Sequence, residues 1–187
     1  MEINEPRNVG FIDLGTNASR LMVVRVNPNQ TGQVLTQQKH HIRLGEVGFT
    51  ENRLTSEAME RTRLVIGKFI EVARNFRVID IVAVATSATR EAVNGEELVR
   101  QIHDDTGVYI PVIPGEEEAR LIWRGISSGT HIQEETAMFI HIGGGSTDVI
   151  VADESEPLLI TSLQHRWLRT TNRSPTPTNH GSCSRAP

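Results

Sequence analysis

One arrangement of chemistry-bearing residues occurs twice: Phe11-Ile12-Asp13-Leu14-Gly15-Thr16-Asn17-Ala18-Ser19 and Phe139-Ile140-His141-Ile142-Gly143-Gly144-Gly145-Ser146-Thr147. Each reads as a short apolar strand that stops at glycine and enters a turn of small residues. Such a turn presents successive backbone N–H groups, which suit phosphate oxygens. In the second copy, glycines strip the Cβ atoms from the turn, so its backbone can approach a ligand and take positive φ. Ser146 and Thr147 add hydroxyls there. Two such turns, distant in sequence, could grip a polyphosphate between them. The bland alternative is a pair of ordinary hairpins, and Gly-Thr-Asn alone is common in those. The copies differ at one position, where Asp13 in the first matches His141 in the second.

Asp13 could hold Mg²⁺ directly or through water, and the cation would screen phosphate charge. An Asp that bonds its own turn is the competing reading. Thr86-Ser87-Ala88-Thr89-Arg90-Glu91 follows an apolar strand, at the sheet edge where α/β proteins bind ligands. Arg90 could clasp a phosphate with its planar fork, or simply pair with Glu91, Glu96 or Glu97. Gly115-Glu116-Glu117-Glu118-Ala119-Arg120 opens a helix, where acids favour the positive end of the dipole. Successive helical residues are separated by about 100°, so one carboxylate can face a cleft and activate water while the others stay solvated. Spacing alone leaves open which one.

These residues need a scaffold. Residues 9–13 and 21–26 read as an antiparallel hairpin, with 33–42 as a third strand. Apolar residues at three- and four-residue spacing predict a helix over 56–76. A fully apolar strand of the buried, parallel kind is expected at 80–85, a helix at 95–106 that stops at Gly107, and a strand at 109–113. A helix over 116–127 precedes three more strands at 137–142, 148–152 and 158–162. Strands alternating with helices predict an α/β domain with a partly parallel sheet.

At 187 residues the chain can hold one large domain or one and a half small ones. Its net charge of −4 argues against a nucleic-acid surface. A single cysteine, Cys183, excludes an internal disulfide framework and fits a reducing compartment. No apolar run is long enough to span a bilayer, and residues 1–8 lack a signal-peptide core. A soluble, cytoplasmic protein without a membrane partner is expected. After Glu156 there is no acidic residue, and from Gln164 both periodicities vanish among Arg, Pro, Thr, Ser and Asn. Such a segment cannot bury a core; it reads as a disordered end produced by a shifted reading frame or an alternative terminus.

Taken together, these segments resemble the exopolyphosphatase and guanosine pentaphosphate phosphohydrolase (Ppx/GppA) family, within the actin, sugar kinase and heat-shock chaperone superfamily. The resemblance is carried by Ile12 to Leu21, Ala85 to Asn94, Gly115 to Leu121 and Ile142 to Thr147, and spans residues 9–162. It implies two lobes, each on an RNase H-like mixed sheet, with the active site between them. On that pattern 1–128 is a first actin-like lobe, 129–162 the truncated start of a second, and 163–187 a disordered, non-family tail. The family hydrolyses terminal phosphoanhydride bonds of polyphosphate or guanosine pentaphosphate, usually with Mg²⁺. Its catalytic glutamate matches Glu118 and its phosphate-gripping arginine Arg90. Its phosphate loops match Thr16 and Asn17 in the first turn and Gly143, Gly144, Gly145, Ser146 and Thr147 in the second. Asp13 matches the family's first-loop acid.

Two departures stand out. The family has an aspartate where this chain has His141, and a neutral imidazole prefers softer metals than Mg²⁺. If His141 replaces a metal-holding acid, activity is expected to fall about 10²-fold or more. Most of the second lobe is also missing, so 137–162 is expected to lack covering helices, to be poorly protected and to associate, for example as a homodimer. The leading expectation is therefore an impaired phosphoanhydride hydrolase. The alternative is a non-catalytic phosphate- or nucleotide-binding lobe, and kinase-like transfer ranks third. His40, His41, His103, His131, His165 and His180 show no metal-ligand spacing.

Overall fold

Alternating apolar residues build the first sheet. In β1 (Arg7–Leu14) and β2 (Ala18–Val26), Ile12, Leu14, Leu21 and Val23 point to one side and are buried. β3 (Gly32–His41) continues the antiparallel meander, and β4 (Asp80–Ala85) lies parallel to β1, giving the order β3-β2-β1-β4. The computed structural model describes residues 5–29, 31–45, 52–129, 136–153 and 157–164.

The helix α1 (Ser56–Asn75) buries Ile66, Phe69, Ile70 and Ala73 in the core beneath this sheet. Thr55 caps it, accepting from the Ala58 amide at 3.2 Å. Beyond β4 comes a single short turn of helix that periodicity did not reveal, α2 (Ser87–Glu91). α3 (Gly95–Thr106) buries Leu98 and Ile102 and stops at Gly107, whose φ of 73° is the left-handed cap glycine tolerates. The strand expected at 109–113 is only a parallel bridge between Ala85 and Val112. Pro111 offers a carbonyl to Ala85 but has no N–H to extend a ladder. That leaves β4 at the margin of the sheet, so it is not buried throughout as expected; Val82 is 48% exposed.

A second antiparallel sheet consists of β5 (Ala137–Ile142), β6 (Ser146–Ala152) and β7 (Pro157–Gln164), in the order β5-β6-β7. Helix α4 (Gly115–Ser127), grouped with the first lobe in the sequence reading, carries its apolar face onto this sheet. Ala119 and Trp123 close over Ile150 and Ala152, and the Trp123 and Phe139 rings lie 5.7 Å apart. The strands thus have one covered face rather than none. On the other face Met138, Ile140, Ile142, Leu159 and Leu163 are exposed. Leu163 and Gln164 still pair with Thr147 and Ser146, so the expected tail begins inside β7. Residues 165–187, with Trp167, Cys183, His165 and His180, lie outside the described residues, as does His131.

Candidate active site

The parallel strands β1 and β4 end level with one another, Leu14 beside Ala85. Chain segments leaving their carboxyl ends therefore emerge side by side, and Leu14 accepts a hydrogen bond from the Thr86 amide at 3.1 Å. Thr16 Oγ1 and Ser87 Oγ, both buried, hydrogen-bond at 2.7 Å. Against this junction sits the glycine turn between β5 and β6. A Cβ on Gly144 would lie 3.2 Å from Thr16 Cβ and 3.3 Å from Asn17 Cβ, and one on Gly145 would run into Ser87 Oγ. The two similar turns do meet face to face. Among the described glycines only Gly107 has positive φ, so Gly144 and Gly145 serve the close approach of the turns and not backbone handedness, while a Cβ on Gly143 would meet only its own turn, 3.2 Å from the Ser146 carbonyl oxygen.

A cleft of about 430 Å³ opens where the turns meet. Asp13, Thr16, Asn17, Glu118, His141, Gly143, Gly144 and Ser146 all line it. Arg90, Gly145 and Thr147 do not line it. Gly145 is spent on the contact with Ser87, while Thr147 alternates to the opposite face of β6 from Ser146. Thr86 and Ser87, expected at the ligand-binding sheet edge, also line it, whereas Arg20 and Lys39 were not anticipated as ligand-facing. Arg20 pairs with Asp13 at 3.1 Å and stands directly opposite Lys39 across β2 and β3.

The rotation of α4 separates the three glutamates. Glu116 is exposed, Glu117 leans toward Arg120 at 3.8 Å, and Glu118 faces the cleft with its side chain only 15% exposed. Arg90 lies behind it, donating through Nη1 to the Ile113 carbonyl at 2.8 Å and to Glu118 Oε2 at 3.3 Å. Burial raises the Glu118 pKa above the usual carboxylate value. The charges of Asp148 and Asp13 push the same way, and Arg90 opposes them.

Asp148 is the acid that sequence reasoning passed over. It is completely buried on β6, opposite His141 on β5, with Oδ2 3.2 Å from His141 Nδ1. The signal was present: Ser146, Asp148, Ile150 and Ala152 share the inward positions of β6, and an acid there breaks the apolar pattern. Asp148 Oδ1 is buried without a hydrogen-bond partner.

The profile of the Ppx/GppA phosphatase family matches residues 22–174. The chain belongs to this family. It is 35% identical over 159 residues to a putative exopolyphosphatase of Haemophilus influenzae, covering 83% of this chain and 48% of that one. It is 33% identical over 153 residues to the guanosine-5'-triphosphate,3'-diphosphate pyrophosphatase of Photobacterium profundum, covering 82% and 30%. The solved exopolyphosphatase of Cytophaga hutchinsonii superposes with a TM-score of 0.84 at 29% identity, over 88% of this chain and 53% of that one. A family member from Aquifex aeolicus gives 0.76 at 24% identity, over 90% and 54%, and so shares the fold.

The chain spans about half the length of these relatives or less. The family match extends beyond residue 162, where the resemblance was expected to stop, and begins after the first turn.

Within this Ppx/GppA cleft, the hydrogen bond to Asp148 raises the His141 pKa above 6.5, with burial opposing and the Asp148 and Glu118 charges assisting. A raised folded-state value means the pair stabilises the fold fully below pH 6.5 and loses that contribution as pH rises through the folded value. Urea unfolding at pH 5.5 and 8 is expected to show this increment in the wild type and not in His141→Gln. A second expectation concerns the junction. Gly145→Ala should part the turns, because its Cβ would also lie 2.8 Å from Thr16 Oγ1. Amide exchange at Gly143 and Gly144 is expected to accelerate about tenfold or more, matching a cost above about 1.4 kcal/mol.

Proposed function

We propose that this chain forms the water-activating half of a phosphoanhydride hydrolase that releases terminal phosphate from polyphosphate or guanosine pentaphosphate. The observation that carries this reading is Glu118. Its carboxylate, with raised proton affinity, faces the same cleft as both glycine turns. A base of raised pKa takes a proton from water more readily at neutral pH. Backbone N–H groups of the turns hold phosphate oxygens, apart from that of Gly143, which donates to the Ser146 carbonyl at 2.8 Å; Ser146 adds a hydroxyl, and Arg20 and Lys39 place positive charge at the wall. Arg90, bound to Ile113 and Glu118, acts here by fixing Glu118 and not by gripping phosphate. Both candidate substrates present the same terminal anhydride, and relatives named for each are similar to this chain.

Among the described residues no group of three or more His, Cys, Asp or Glu is placed to hold a metal. Mg²⁺ needs no such cage, since it keeps several waters and binds one or two carboxylates plus substrate phosphates. The residues fit that mode: Asp13 lines the cleft and would hold Mg²⁺ through water, and the ion would offset phosphate charge. His141, with Nδ1 on Asp148, serves better as a hydrogen-bond donor to phosphate than as a ligand to a hard cation.

Phosphate release from tripolyphosphate and guanosine pentaphosphate by the purified chain tests the proposal, with Glu118→Gln as control. Saturable binding without release would instead establish a non-catalytic phosphate- or nucleotide-binding lobe, a reading favoured by His141 at the family's aspartate position. The exposed face of β5–β7 supports self-association as a homodimer. No helix among the described residues is long and apolar enough to cross a membrane, and a cytoplasmic location completes the proposal.

A further inference from the structure

Asp148 has a second cross-strand neighbour. It faces His141 across β5 and β6, and Ser162 across β6 and β7. Directly opposed residues project to the same side of a sheet, here the side covered by α4. Two polar atoms in this row are buried without a hydrogen-bond partner: Asp148 Oδ1 and Ser162 Oγ. An ionised carboxylate only accepts and a hydroxyl can donate, so these neighbours are chemically complementary. Leaving both unsatisfied would be costly. Ser162 also presses on the first turn of the helix that carries Glu118. A Cβ on Gly115 would lie 2.7 Å from Ser162 Oγ and 3.6 Å from Arg90 Nη2. Ser162 thus stands between the pair His141–Asp148 and the pair Arg90–Glu118.

The geometry points to Ser162 as a positioning residue: its hydroxyl donates to Asp148 Oδ1, directly after rotation about χ1 or through one buried water. Asp148 is then held at both oxygens, against His141 on one side and the α4 turn that aims Glu118 on the other. The inference rests on the reading of Glu118 as the water-activating group. Ser162 itself touches no substrate and exchanges no proton with it.

Ser162→Ala is expected to lower kcat for phosphate release from tripolyphosphate about tenfold, with KM within about twofold. Ser162→Thr keeps the hydroxyl and should retain the wild-type kcat. The alanine variant should also shift the imidazole ¹⁵N resonances of His141, because its carboxylate partner loses a second anchor. Thr161→Ala, on the opposite face of β7, should leave those resonances in place. Ser162→Cys has nearly the same shape and a much weaker donor, so it gives the same reading should the alanine variant fail to fold. Wild-type kcat together with unmoved His141 resonances would overturn the inference, as would a loss of kcat that threonine does not restore. A wild-type chain that releases no phosphate defeats the hydrolase proposal alone; the His141 resonances still decide on Ser162.

Discussion

Glu118→Gln is expected to lower kcat for phosphate release about 10²- to 10⁴-fold, the usual weight of a general base, with little change in KM. Gln keeps the shape of the side chain and its place against Arg90 but cannot accept a proton from water. The same substitution should raise the melting temperature at neutral pH. Burial and the nearby Asp148 and Asp13 charges disfavour ionised Glu118, with Arg90 only partly compensating. A neutral isostere removes that penalty. The sign fixes the pH window: because the folded-state pKa lies above 4.5, the gain is absent well below pH 4.5, where Glu118 is protonated in both states. It grows as pH rises and levels off above the folded value. Steady-state kinetics and thermal melts at pH 4 and 7.5 check both parts. A kcat within tenfold of wild type would assign water activation to another group. Such opposition between activity and stability is common where a site holds charge in a partly buried cleft.

The largest loss of stability is expected from Gly95→Ala. A Cβ there would collide with the carbonyl oxygen of Thr89 and lie 2.9 Å from its carbonyl carbon. Both are backbone atoms, so no side-chain rotation relieves the overlap, and α3 must back away from α2. That movement also strains Asn94, whose buried amide accepts from the Leu54 amide at 2.8 Å and donates to the Leu54 carbonyl at 3.0 Å. Overpacking of this kind costs about 3 kcal/mol, or a fall in melting temperature of about 6–12 °C for a chain of this size. Gly67→Ala supplies the contrast. It lies within α1 with nothing near its open side, so it should stabilise by about 0.5–1 kcal/mol. A melt in which both variants behave alike would remove the steric argument. The effect reaches the site, since α2 carries Ser87 and Arg90.

The strands and helices that hold the cleft were readable where a single periodicity dominated. β6 alternates throughout, β1 and β2 alternate over residues 10–14 and 20–24, and the buried stripe of α1 repeats at helical spacing. Reading failed where local chemistry outweighed pattern. Pro111 stopped a strand from forming beyond one bridge, and five residues were too few to declare α2 by period. Glycine-rich turns, small hydroxyls and a run of acids each have ordinary structural uses, but their recurrence after similar strands narrows the choice. Their types and spacing in the chain alone therefore marked the two glycine turns, Arg90 and the acidic first turn of α4 as the place to look.

Assignment of roles needed three dimensions. Which of three glutamates enters the cleft depends on the rotation of α4 against β6 and β7, a packing outcome that no nearest-neighbour spacing encodes. Arg90 meets Glu118 from 28 positions away. Asp148 gains its meaning from His141 and Ser162, residues on neighbouring strands that only register brings opposite it. Chemistry that resides in residue type is written along the chain, whereas proton affinity, burial and hydrogen-bond partners arise only when distant segments close around one another.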